Sequence, residues 1–384
     1  MMITNKTFYL YFVIVVSMLT ASSLCAQNNK KLDSLFKISF NQIYTNPDRV
    51  IQVGEMIVKQ SDKNIDYKIK GYKLIADGYS SKRDYEKSLE NVIKANQLLH
   101  LTNNDLLKIT ILNKTGIQYH QLKIYDKAIQ YLDQAEQLIT EYPQRDSIHT
   151  DLGKNYVVRG FIYKEKFSCD IAIDFFNRGI SELLKSKSKA DYSIVSIAKY
   201  NKGNCYILMS NNKLASENFI QSIDYAKAID AKSLQAFALK GLAQVYTLEG
   251  NYSAAIKALN EASFISEGVN DLILNDEIYN GLSQNYLALN EWEQFKKYHS
   301  KYIDTQKLIK QRERSSVSES LDVKEKELKS KFDNEASQFY YLMMGLFVFL
   351  TLVILFFYII IKRKKKDILI IKNQIYTLQN ERMK

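Results

Sequence analysis

Four histidines, His100, His120, His149 and His299, and three cysteines, Cys25, Cys169 and Cys205, are the side chains with most scope for metal or nucleophilic chemistry. Zinc hydrolysis on a helix needs two ligands one turn apart with a carboxylate beside them, as in His-Glu-x-x-His, and no pair of histidines stands at that spacing. No glycine-rich loop offers its backbone N–H groups to a phosphate, and no nucleophile sits in a Gly-x-Ser-x-Gly elbow. The histidines read as surface or groove residues. The chain therefore reads as a non-enzyme with no cofactor and no metal.

Charge points to a membrane rather than to nucleic acid. The net charge is +11, of which the last 23 residues, 362–384, carry +6 and Lys6 carries +1. The remaining +4 is scattered over the long middle, too little for a phosphate-binding patch. The basic block Lys362, Arg363, Lys364, Lys365 and Lys366 instead follows Phe339 to Ile361, which holds no charged residue. A bilayer core about 30 Å thick takes roughly 20 apolar residues at helical rise, so 339–361 is long enough to span. Tyr340, Tyr341 and Tyr358 fall near its ends, where amphipathic rings prefer the interface, and the basic block places the C-terminal flank in the cytoplasm. Residues 1–26 have the anatomy of a secretory signal: Lys6, an apolar stretch from Phe8 to Leu19, then small residues up to Ala26. The expected localisation is the bacterial inner membrane, single-pass, with everything before 339 in the periplasm.

With two prolines and 13 glycines in 384 residues, the composition favours long helices. From Tyr72 onward the chain repeats. Taking Tyr79, Tyr119, Tyr163, Tyr206, Tyr246 and Tyr286 as landmarks, the intervals are 40, 44, 43, 40 and 40. Three residues before each stands a small residue: Ala76, Gly116, Gly160, Gly203, Ala243, Ser283. Nine after the first five comes another small residue, then a bulky one (Val92, Leu132, Phe176, Phe219, Leu259), then a small one again. Small residues let two antiparallel helices approach, and bulky ones fill the space beside them, so each unit is a helical hairpin. A single hairpin cannot bury its apolar face, so hairpins must stack. The tyrosines and phenylalanines are core on this pattern, not a ligand box.

This pattern resembles the tetratricopeptide repeat, whose succession of Gly or Ala, Tyr, Ala, Phe and Ala it matches over about Tyr72 to Tyr302. It departs in period, 40 to 44 against the usual 34, which predicts longer helices or linkers. In the sixth repeat Phe295 stands at the small position and His299 at the bulky one, an atypical end. Cys169 and Cys205 fall in neighbouring repeats; a bridge is geometrically conceivable, and two buried free thiols is the reading preferred. The fold class expected is all-α: a signal peptide at 1–26, a capping helix pair at 31–68, about six repeats at 69–302, a juxtamembrane helix at 303–338, the span at 339–361, and a tail at 362–384. In that tail Ile368, Ile371, Ile375 and Leu378 have coiled-coil spacing.

The resemblance also implies a groove lined by the first helix of each pair, with peptide contacts six and two residues before each landmark. The candidates are Lys73, Asn113, Phe161, Tyr200, Asn204, Lys240, Gln244, Asn280 and Gln284, with Asp77, Ile117 and Val157 at the remaining places. Amide side chains both donate and accept, which suits the backbone of an extended peptide. The order of parts further resembles the sensor half of bacterial membrane-anchored tetratricopeptide regulators, which implies a periplasmic peptide or protein ligand, a cytoplasmic regulator and a homodimer, with no direct nucleic-acid contact. That resemblance would place an output domain after Lys384, where the chain stops, so a short form, a truncated product and a partner subunit all remain open. The alternative expectation is a passive scaffold that tethers an envelope assembly.

Overall fold

The computed structural model describes residues 32–36, 38–39, 42–43, 46–61, 64–267 and 271–382, so the expected signal peptide lies outside the described residues. Among the described residues all regular structure is helical, as the composition and spacing lead one to expect. Helix α1 spans Pro47–Gln60, α2 Ile65–Ser81, α3 Tyr85–Gln97, α4 Asp105–Gln121, α5 Tyr125–Glu141, α6 His149–Lys166 and α7 Cys169–Lys185. They are followed by α8 Tyr192–Leu208, α9 Asn212–Lys227, α10 Lys232–Leu248, α11 Tyr252–Ser266, α12 Leu272–Ala288 and α13 Trp292–Arg382. The chain divides into two compact units, the first ending at Thr305 and the second running from Gln306 to Lys384.

The first unit is a stack of hairpins in which α2 pairs with α3, α4 with α5, α6 with α7, α8 with α9 and α10 with α11. The first member of each pair carries the landmark tyrosine and is called helix A; the second is helix B. Helices α2, α4, α8, α10 and α12 have 17 residues each and α6 has 18, so much of the long repeat period is taken up by helix length. Short 3₁₀ turns at Leu99–Leu101, Arg145–Ser147 and Lys189–Asp191 supply further residues between hairpins. Helix α1 begins at Asn46-Pro47-Asp48, where the Asn46 Oδ1 accepts the Arg49 N–H at 3.1 Å and Pro47 occupies the first turn, which needs no N–H of its own. Helix α2 starts at Ile65, so the boundary drawn between 68 and 69 falls inside it.

The close approach within each hairpin rests on the small residues. Val92, Leu132, Phe176, Phe219 and Leu259 are all 2 % exposed or less, pressed against the facing helix A. A Cβ placed on Gly203 would lie 2.6 Å from the Phe219 Cε1, and one on Gly241, in the next helix A, would strike the same ring. Phe219 thus fills a slot whose two walls are glycine backbone.

Five of the six A helices are closed in nearly the same way, α6 being the exception. The carbonyl of Tyr79, Tyr119, Tyr206, Tyr246 and Tyr286 accepts the N–H five residues on, at 2.8–3.0 Å, as in a Schellman cap. The residue between, Arg83, Lys123, Ser210, Gly250 or Asn290, has positive φ, from 57° to 74°. Only Gly250 takes that conformation without steric cost.

At the end of the array the expected register shifts by one residue. Tyr298, not His299, packs inward, stacking on Tyr286 at 5.5 Å and meeting Tyr279 at 6.4 Å, while His299 is exposed. A tyrosine ring one position away outcompetes an imidazole for an apolar site. Cys169 and Cys205 are free thiols, Cys205 buried as preferred from the sequence and Cys169 only half-buried. Cys205 is fully buried, and burial together with the neighbouring Cys169 pushes its pKa up to about 12, which keeps it protonated and unreactive.

The second unit is the remainder of α13. Its stretch Glu335–Asn373 contains an 18-residue window of mean hydropathy 2.9, none of it buried, and is the one described helix long and apolar enough to cross a membrane. Ile368, Ile371 and Ile375 are helical and exposed, whereas the side chain of Leu378 lies outside the described residues.

Phe219→Ala is expected to cost about 3–5 kcal/mol in urea unfolding, because the backbone walls at Gly203 and Gly241 cannot collapse onto the void. Ser210→Gly is expected to raise stability by up to about 1 kcal/mol in the same measurement, since it removes the left-handed strain at that turn.

Candidate peptide-binding groove

Successive A helices lie side by side and present one face whose polar groups are shared between neighbouring repeats. At the N-terminal end the Asp77 carboxylate is 8 % exposed and lies 2.8 Å from the Lys73 Nζ and 2.7 Å from the Lys114 Nζ. Burial alone would raise its pKa, but the two ammonium groups more than offset that and hold it down at about 2.

Asn113 is also committed. It is 3 % exposed, its Nδ2 donates to the Asp151 carbonyl at 3.0 Å, and its Oδ1 accepts from the Asn155 Nδ2 at 2.9 Å. Asn155 in turn donates to the Leu132 carbonyl at 2.8 Å and accepts from the Arg159 Nε at 2.8 Å. This amide therefore ties one A helix to the next instead of facing a ligand. Val157 is buried core.

The middle of the face is aromatic. Phe161 is half-buried, 5.5 Å from Phe176 and 5.9 Å from the His120 ring. Tyr200 lies 5.7 Å from Phe219 and 6.1 Å from Phe237, and its hydroxyl accepts from the Lys240 Nζ at 2.9 Å. The same Nζ is 2.8 Å from the Glu277 carboxylate. Burial works against the charge on Lys240, but Tyr200 and Glu277 outweigh it and raise its pKa.

Toward the C-terminal end the amides are uncommitted. Asn204 is half-buried and Gln244 exposed, and neither makes a side-chain hydrogen bond among the described residues. Gln284 is exposed and donates only along its own helix, to the Asn280 Oδ1 at 3.2 Å. Ile117 is half-buried beside the Tyr119 cluster.

Several residues of this face escaped the sequence rule, because it took only the positions six and two before the landmark. One position after it stand His120 and Lys164. The Lys164 Nζ donates to the Asn201 Oδ1 at 2.6 Å. His120 is held largely neutral: burial lowers its pKa, Glu165 opposes that, and Lys164 adds to it. Its Nε2 is 3.8 Å from the Glu165 Oε1, too far for a hydrogen bond, and the other oxygen of Glu165 accepts from the Tyr125 hydroxyl at 2.5 Å. The repeat landmark itself was the signal that would have found them, had the next residue been included. Among the described residues no group of three or more His, Cys, Asp or Glu is placed to hold a metal.

Stacked antiparallel hairpins with these small and bulky positions define a helical-repeat solenoid. Residues 195–267 match the family model described as Tetratricopeptide repeat, the family whose pattern the landmark residues resemble. No curated protein matches the chain. Solved structures share the fold at low identity. One is a Signal Transduction ATPase with Numerous Domains protein with a tetratricopeptide repeat sensor from Pyrococcus horikoshii, at 15 % identity and a TM-score of 0.55, over 71 % of this chain and 41 % of that one. Another is the Rap conjugation gene regulator of plasmid pLS20 in complex with the Phr* peptide, at 18 % identity and 0.51, over 70 % of this chain and 73 % of that one. At 41 %, this chain spans less than half the length of the first.

Asp77→Asn is expected to destabilise the array by roughly 2 kcal/mol at pH 7. The folded-state pKa of Asp77 is depressed, so its contribution is present above the unfolded value near 4 and is lost as pH falls toward about 2. Thermal melts should show the gap between wild type and variant narrowing below pH 4 and constant above pH 5.

Proposed function

We propose that the A-helix face binds an extended peptide or a protein segment, and that the chain is a single-pass membrane protein whose repeats lie in the periplasm. The observation that carries this reading is the run of amides that bond to no neighbouring repeat among the described residues, Asn204, Gln244 and Gln284, at the same place in three successive repeats beside half-buried Tyr200. Elsewhere on the face the polar groups satisfy one another; here donors and acceptors stand open to a peptide backbone. The pLS20 regulator, which shares the fold, was solved with a peptide bound, and that supports the ligand class. The apolar stretch 339–361 and the basic block after it support the span and its orientation.

Binding is relayed to a cytoplasmic partner through α13, which has no proline from Trp292 to Arg382, and a homodimer joined through the tail is the two-state element the relay requires. In vivo cross-linking and co-purification of the detergent-solubilised chain tests the groove. Asn204→Ala/Gln244→Ala should lose a periplasmic partner while retaining a cytoplasmic one and an unchanged Tm. Envelope partners indifferent to the double substitution would favour the passive scaffold.

The relay has its own test. Single cysteines at Ile368, Ile371, Ile375 and Leu378 should cross-link strongly relative to the positions between them, and uniform cross-linking along the tail would sink the dimeric relay.

A further inference from the structure

On the other side of the A helices, facing the B helices, one crevice carries positive charge without compensation. Its neighbour shows what compensation looks like. In α6, Arg159 stands four residues before its landmark and is 5 % exposed, with its Nη2 2.7 Å from the Asp133 Oδ1 and 3.0 Å from the Glu136 Oε2. The Tyr156 hydroxyl donates to the same Glu136 at 2.9 Å.

One repeat on, in α8, Lys202 takes the place of Arg159 and is 7 % exposed. Its Nζ reaches only the Asn177 Oδ1, at 2.5 Å, and Asn177 on α7 stands where Asp133 stood on α5. Ile180 stands where Glu136 stood. Lys199 replaces Tyr156, is half-buried, and makes no hydrogen bond or ion pair among the described residues. On α9, Asn218 replaces Phe175, the ring that lies 6.3 Å from Tyr156, and its buried Oδ1 has no hydrogen-bond partner. Two cations, two amides and Ile180 thus occupy a crevice where the preceding repeat has one cation, two carboxylates and two aromatic rings.

Burial lowers the pKa of both amines, that of Lys202 to about 8 with the charge of Lys199 adding to the effect, and no carboxylate opposes either shift. Leaving two partly desolvated ammonium groups side by side is unfavourable, and an anion between them reverses the sign of that interaction. We propose that the crevice between α7, α8 and α9 binds a small oxyanion of the phosphate or sulfate class through Lys199 and Lys202. Each ammonium carries three donors, a tetrahedral oxyanion offers an acceptor to each, and the Asn177 Nδ2 supplies one donor more. The low exposure of Lys202 restricts the ligand to a small ion and excludes a bulky phosphoester.

The test uses the full chain in dodecyl maltoside, with inorganic phosphate against chloride at matched ionic strength. Phosphate should raise the Tm of the wild type beyond the chloride control and broaden the free-phosphate ³¹P line. Lys202→Met, which keeps the length and drops the charge, should hold or raise the Tm in chloride, which shows that it folds. It should weaken phosphate binding at least about tenfold, as the loss of one charge-assisted hydrogen bond implies. Lys199→Met should weaken binding similarly, whereas Lys213→Met, an exposed lysine on α9, should leave it unchanged. Equal stabilisation by phosphate and chloride, or equal ³¹P broadening in wild type and both crevice variants, would overturn the assignment.

Discussion

The distance at which two helices of a hairpin can approach governs the rest of the array. Where Gly203 and Gly241 expose bare backbone, the Phe219 ring seats against both, and consecutive repeats are locked by one side chain. Replace either glycine by a larger residue and the ring must leave, taking with it the contacts of Tyr200 and the alignment of two A helices. The face proposed for ligand binding is therefore a product of packing on its reverse side. No loop is needed to shape it, because 17-residue helices held in register present the same position at each step along the stack.

Polar groups on that face serve two purposes that look alike in isolation. Asp77 with its two lysines, Asn113 with Asn155, and Lys240 between Tyr200 and Glu277 each tie one A helix to the next. Satisfied in this way, buried polar groups fix a unique register and cost little. Asn204, Gln244 and Gln284 have no such neighbour, so what is a joint elsewhere becomes free capacity. On α8, α10 and α12 the two kinds stand side by side, Lys240 bracing the helices and the amides two before the landmarks left open.

Much of this was legible in the sequence, and the reason is periodicity. The landmark tyrosines, the small residues three before them and the bulky residues after them obey geometry internal to one hairpin, and five copies in register average out accident. The partners across repeats were not legible. Asn113 and Asn204 are both amides at candidate groove positions, six and two residues before their landmarks, and the partner that commits the first, Asn155, lies 42 positions from it. A period that varies between 40 and 44 prevents that partner from being found by counting. The same limit explains Tyr298 and His299: with one repeat left and no following hairpin, the choice of inward residue falls to side-chain chemistry. The contrast between Arg159 and Lys202 became visible only once α5 and α7 were seen to occupy equivalent places.

The buried apolar residues of the array do not form one continuous mass; they fall into several clusters, the largest spanning α9 to α12 and another α6 to α8. Stability in such a stack is a sum over neighbours, with no single keystone. Pulled from one end, an object of this kind behaves as springs in series: each joint stretches a little, and the softest yields first while the others hold. Strain arriving at the bare amides would be taken up locally, by a small change of pitch between two hairpins, long before any hairpin lost its own core.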